Sequence, residues 1–112
     1  MDTQDELQLM QIIAYAGNAK SLCMEAMQDA FRRDFEKAEE KVRQAKQSLE
    51  EAHEAHTGLL VNAANGRAVE PSPILIHAQD HFMGASLSVD LIEMMIEMQR
   101  EIAELKEARE HG

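Results

Sequence analysis

"ILIHAQDHFMGASLSVDLIEMMIEMQREI", residues Ile74 to Ile102, carries the pattern that decides the fold. It holds one glycine and no proline, so nothing in it breaks a helix. On a wheel of about 3.6 residues per turn, Ile74, Leu75, Ile76, Phe82, Met83, Leu87, Val89, Leu91, Ile92, Met94, Met95, Ile96, Met98 and Ile102 point to every side. A helix that is apolar all round must be covered all round.

Ser72 followed by Pro73 reads as N-cap and first residue of this helix, which is expected over about 73–109. Upstream, "AANGRAVEPSP" is a connection, with Asn65-Gly66 as the stop of an earlier helix. That helix, about 34–64, carries Phe35, Ala38, Val42, Ala45, Leu49, Ala52, His56 and Leu59 in alternating three- and four-residue steps, a heptad seam on an otherwise polar surface. Asp34, in the "RRD" corner, is its expected N-cap. The first helix, about 4–31, opens on the capping-box pair Thr3 and Glu6 and continues through Leu7, Met10, Ile13/Ala14 and Gly17. Ala14, Ala16, Gly17 and Ala19 permit close helix contact. The expected fold is all-α, one antiparallel three-helix bundle over residues 1–112. Two neighbours cannot cover the third helix, so other copies of the chain must: self-association is expected.

Composition agrees. The chain is 45% hydrophobic but only 4% aromatic, and rich in Ala, Met, Leu, Glu, Gln and Lys, all good helix formers. A formal net charge of −10 argues against nucleic acid or an anionic membrane as partner. One cysteine, Cys23, excludes an internal disulfide and a cysteine zinc cage and is expected in the core. The acidic start "MDTQDELQLM" is unlike a signal peptide, and no apolar run reaches about 18 residues, so a soluble cytoplasmic protein is expected.

Inside the decisive stretch, His77 and His81 fall on nearly one side of the helix, with Asp80 some 60° round from His77 and Gly84 leaving space beside His81. Three readings fit: core histidines partnered by Asp80, a transition-metal site of two His and a carboxylate, or nucleophilic attack on phosphorus by one imidazole. Periodicity alone does not choose. The second reading lacks the second-helix carboxylates that helical redox-metal sites use.

The string "HAQDHFM", preceded by "ILI" and followed by a long Leu/Ile/Met/Glu helix, resembles the lactose/cellobiose-type IIA proteins of the bacterial sugar phosphotransferase system. "IIAYAGNAKSLCMEA" is similar to the first helix of that family. The "VEPSPILI" approach, with two prolines, departs from its pattern. The resemblance implies a homotrimer, a nine-helix bundle with the third helices innermost. It implies that His77 accepts a phosphoryl group on Nε2 from the carrier protein HPr and passes it to a cysteine of the cognate IIB component, serving a IIC membrane permease that takes up a β-linked disaccharide such as lactose, cellobiose or chitobiose. Gln79 and His81 would bind phosphoryl oxygens or shape the pocket. Asp80 would face the three-fold axis, where three copies hold a divalent cation, Mg²⁺ suiting converging carboxylates. The competing reading is a non-catalytic structural or regulatory helical oligomer in which the His/Asp stripe sets assembly.

Other signals carry less. His53-Glu54-Ala55-His56 lacks the spacing of a metalloprotease helix and reads as packing with a polar edge. Arg32, Arg33, Lys37, Lys41, Arg43 and Lys46 read as a solvated face, and Met94, Met95 and Met98 as core filling.

Overall fold

The structure, a computed structural model, describes residues 3–111; Met1, Asp2 and Gly112, within the expected 1–112 unit, lie outside the described residues. Three helices follow one another: α1 (Thr3–Phe31), α2 (Phe35–Ala64) and α3 (Pro73–His111). Gln8 reaches Ala55, Asn18 reaches Ser48, and Asp29 reaches Lys41, so α1 and α2 run antiparallel. Glu39 meets Arg100, Lys46 meets Glu93, and His56 meets Phe82, which makes α3 antiparallel to α2 and parallel to α1. The bundle measures 65 × 20 × 19 Å, its length set by α3, whose residues beyond Ala103 are exposed.

The two corners share one device. After α1, Arg33 N–H donates to Ala30 O (3.0 Å) and Asp34 N–H to Asp29 O (2.9 Å); after α2, Gly66 N–H donates to Ala63 O (3.1 Å) and Arg67 N–H to Asn62 O (2.8 Å). Each pair is a Schellman closure, which needs a left-handed residue at its centre. Gly66 supplies φ 81° without strain, whereas Arg33 is held at φ 63°. Asp34 then caps α2 by accepting from Lys37 N–H at 3.2 Å, and Ser72 Oγ caps α3 by accepting from Leu75 N–H at 3.2 Å. The two prolines leave α3 beginning at Pro73, the N1 position where a missing N–H costs nothing.

The core is narrow and made of small side chains. Leu9, Ile12, Ala16, Ala19, Cys23, Ala26 and Ala30 of α1 meet Ala38, Val42, Ala45, Ala52 and Leu59 of α2 and Ala78, Phe82, Ala85, Val89, Ile92 and Ile96 of α3. Ser48 is buried within the α2 seam; its hydroxyl donates to Tyr15 O (2.9 Å) and accepts from Asn18 Nδ2 (3.0 Å), which removes the cost of its burial. His56 stacks on Phe82 with ring centroids 4.7 Å apart and His53 lies tilted at 5.9 Å, the polar-edged packing expected of them.

On α3 the buried residues occupy one side. The opposite side carries an exposed apolar row, Ile76, Met83, Leu87, Leu91, Met94, Met98, Ile102 and Leu105, between 41% and 71% exposed. Met94, Met95 and Met98 therefore do not fill this chain's own core. On α1, Ala16 and Ala19 are buried, while Ala14 and Gly17 face outward with Leu7, Met10, Met24 and Phe31 on a second heptad row. No helix among the described residues is long and apolar enough to cross a membrane.

Candidate functional site

His77 lies in the second turn of α3, fixed by the Ser72–Pro73 start and by the adjacent Ala78, which is fully buried. Its own side chain is exposed; that of His81, one turn on, is half-buried. The rings meet edge to face with centroids 4.3 Å apart, and His81 Nε2 stands 3.0 Å from His77 Nε2. One of the two nitrogens must carry the shared proton. His81 Nδ1 is buried and, among the described residues, without a partner. Were His77 the donor, His81 would need its proton on Nδ1, a buried orphan N–H; with His81 Nε2–H donating, Nδ1 keeps only a lone pair. The second arrangement is favoured, and in it the unprotonated Nε2 of His77 accepts from His81 Nε2–H.

Asp80 is exposed and, among the described residues, has neither a hydrogen bond nor an ion pair. The first of the three readings, with Asp80 as partner of the histidines, is not met within one chain, since they bond to each other. By helical position Asp80 belongs to the exposed row, a lone charge between Ile76 and Met83. No group of three His, Cys, Asp or Glu among the described residues could hold a metal within one chain. Gln79 is exposed, but two residues of helix put it roughly 160° round α3 from His77. Within one chain the structure joins His77 with His81 and does not bring Gln79 to them.

One residue escaped the sequence reading. The space that Gly84 leaves beside His81 is flanked by Lys20 of α1, whose Nζ lies 3.6 Å from where a Cβ on Gly84 would stand. The available signal was charge: Lys20 is the sole Lys or Arg before Arg32.

Away from this end, Asp29 is 5% exposed and paired with Lys41 at 2.9 Å and Arg32 at 3.7 Å. The Lys41 ammonium holds its carboxyl below the usual carboxylate range, and Asp29 raises Lys41 in return. Burial lowers the pKa of His56, with the charge of His53 a smaller cause, and burial raises that of Cys23. Lys41, Arg43 and Lys46 pair with Asp29, Glu40 and Glu93, the solvated, ion-paired face expected of the basic cluster.

The exposed His77 and the half-buried His81 thus form an imidazole pair at the surface of the bundle, near the start of α3. Residues 7–100 match the family described as the lactose/cellobiose-specific IIA subunit of the phosphotransferase system. The lactose-specific EIIA component of Staphylococcus epidermidis is 41% identical over 97 residues, covering 85% of this chain and 93% of that protein. The crystal structure of the cellobiose-specific enzyme IIA from Bacillus anthracis superimposes with a TM-score of 0.88 at 37% identity, covering 92% and 94% of the two chains. The IIA(chitobiose) chain of a solution complex with HPr from Escherichia coli gives 0.78 at 31% identity, covering 91% and 99%. The chain belongs to the lactose/cellobiose-specific IIA family of the sugar phosphotransferase system, whose members are phosphotransferase components that carry a phosphoryl group.

Proposed function

We propose that His77 accepts a phosphoryl group on Nε2 from phospho-HPr and hands it to the cysteine of a cognate IIB component in the cytoplasm, during uptake of a β-linked disaccharide through a IIC permease. The observation that carries the reading is the His81 Nε2···His77 Nε2 contact of 3.0 Å, which favours an unprotonated Nε2 on the exposed His77. In the first step that lone pair attacks phosphorus, the new P–N bond forms as the donor's P–N bond breaks, and the donor nitrogen keeps the electron pair. The lone pair is freed for this attack as His81 turns its N–H from it to a phosphoryl oxygen, a charge-assisted bond stronger than the one it replaces. In the second step a thiolate attacks phosphorus and His77 Nε2 leaves with its pair. Family membership and the named complex of the chitobiose relative with HPr support the choice of partners. The lactose, cellobiose and chitobiose relatives support the substrate class.

The working unit is a homotrimer with α3 innermost. The exposed apolar row on α3 favours it, because soluble monomers rarely leave so long an apolar row in water. With Asp80 turned to the axis, His77 lies about 60° to one side and Gln79 about 100° to the other. The His77 flank of one copy thus meets the Gln79 flank of the next. Asp80 from each of three copies would hold a divalent cation such as Mg²⁺, which would neutralise carboxylates that otherwise repel.

Incubation with enzyme I, HPr and phosphoenolpyruvate tests the transfer. An acid-labile mass gain of one phosphoryl group, abolished in His77→Gln with helix content unchanged, is expected. An unmodified wild-type chain would leave the structural-oligomer reading standing in its place.

A further inference from the structure

We infer that Lys20, on a different helix from His77, is the cation that receives the phosphoryl oxygens at the site. The inference rests on the phosphocarrier reading above. A phosphoryl group on His77 brings close to two negative charges to a chain that already carries a net charge of −10, so the site needs a local cation to hold it. Most of the basic residues are remote. Arg32 to Lys46 gather around the α1–α2 corner and the first half of α2, and Arg100, Lys106 and Arg109 lie along the far end of α3. Toward the His77 end stand Lys20 and Arg67, and Arg67 follows α2 on the loop before α3.

Lys20 has the required placement. Side chains of a helix lean toward its N-terminus, and α1 runs parallel to α3, so the stem of Lys20 points toward the end of α3 that bears the histidines. It reaches Gly84, where its Nζ is 3.6 Å and its Cε 4.0 Å from an added Cβ. Gly84 and His81 are i,i+3 neighbours, with side-chain origins roughly 5–6 Å apart. Glycine leaves no side chain between the ammonium and the imidazole pair. Lys20 is half-buried and, among the described residues, has no ion-pair partner, whereas Lys41, Lys46 and Arg100 are all engaged. A half-buried ammonium without a counter-ion, one helical turn from His81 and two from His77, is placed to take phosphoryl oxygens by swinging its terminal bonds toward the imidazole pair.

The test is the equilibrium between phospho-HPr and this protein, measured for wild type, Lys20→Met and Lys20→Arg, with helix content and mass in solution as controls. Loss of the cation should shift the equilibrium toward phospho-HPr by about tenfold, the scale of one unit charge near a partly exposed dianion. Lys20→Arg should restore most of it. Wild type alone provides a second readout: the Lys20 ¹⁵Nζ resonance should move on phosphorylation while those of Lys37 and Lys106 stay. A Lys20→Met equilibrium equal to wild type, a loss that Arg does not restore, or a still Lys20 resonance overturns the inference while leaving His77 as acceptor. A wild type that takes no phosphoryl group overturns both.

Discussion

At the His77–His81 pair the favoured proton placement has His81 Nε2–H donating to an unprotonated His77 Nε2. The proposed mechanism gives the two different roles and so predicts different losses when each is removed. His77→Ala should abolish phosphoryl acceptance; His81→Ala should slow it by about 10²-fold or less, the lower end of what a positioned proton donor contributes. Initial rates from phospho-HPr check this, and equal abolition in both would mean that the nucleophile is wrongly assigned. At the other end of the bundle, the lowered pKa of Asp29 makes a stability prediction with a definite sign. A carboxyl whose folded pKa is depressed contributes stability above its unfolded pKa, about 3.9, and loses it as pH falls through the folded value. Asp29→Asn should therefore be less stable than wild type at pH 7, and the two melting curves should converge in acid. A gap that stays constant down to pH 2 would show that the Lys41 pair is not the cause. The motif residues were legible as types at a spacing, but their pairing was not. Helical periodicity places His77, Asp80 and His81 on one flank, yet whether a histidine bonds Asp80 or its neighbour depends on rotamers that a sequence does not encode. Lys20 was less legible still, because its partner is the absence of a side chain on another helix.

Helix ends were read more completely, since capping chemistry is local. Asp34, Asn65-Gly66 and Ser72-Pro73 stand at the boundaries where the residue types put them. Arg33 had no such signal: the Schellman closure after α1 needs a left-handed residue, and the sequence offers arginine where glycine is usual. Arg33→Gly should stabilise the chain by about 1 kcal/mol by removing that strain, and Gly66→Ala should destabilise it by about 1–2 kcal/mol by creating it. Paired urea titrations test both signs, and a destabilising Arg33→Gly would mean that the arginine side chain contributes more than its backbone costs. Ser48 illustrates the limit of heptad reading. Its step in α2 lies between Ala45 and Ala52, but only the neighbouring Tyr15 carbonyl and Asn18 amide on α1 explain why a hydroxyl is tolerated there.

For the molecule as a whole, α3 decides the account. Its apolar residues overflow one face, and the structure divides them into a buried side that packs on α1 and α2 and an exposed row on the opposite side. The overflow was legible in the sequence because it needs only a wheel. What covers the row was not, because a chain does not state its own copy number. Sedimentation at micromolar concentration should give about three times 12.6 kDa, and a stable monomer would contradict the trimer. If Asp80 carboxylates share a cation on the axis, EDTA should lower the melting temperature of wild type and leave Asp80→Leu unmoved, and that variant should be as stable or more so by about 1–4 kcal/mol, since burying apolar groups replaces burying like charges. A wild type indifferent to the chelator, with a mutant that falls apart, would remove the axial cation. Subunit mixing reaches the Gln79 geometry: inactive His77→Ala and impaired Gln79→Ala chains, mixed and re-annealed, should recover part of the activity if each His77 is served by the next copy.

The most direct measurement locates the phosphorus atom. Uniformly ¹⁵N-labelled protein, phosphorylated by HPr and observed by ³¹P–¹⁵N correlated NMR, should show one-bond coupling to Nε2 of His77, with His81 unphosphorylated and its Nε2–H shifted by a new acceptor. Coupling to Nδ1 of His77, or to either nitrogen of His81, would contradict the proton placement from which the mechanism follows.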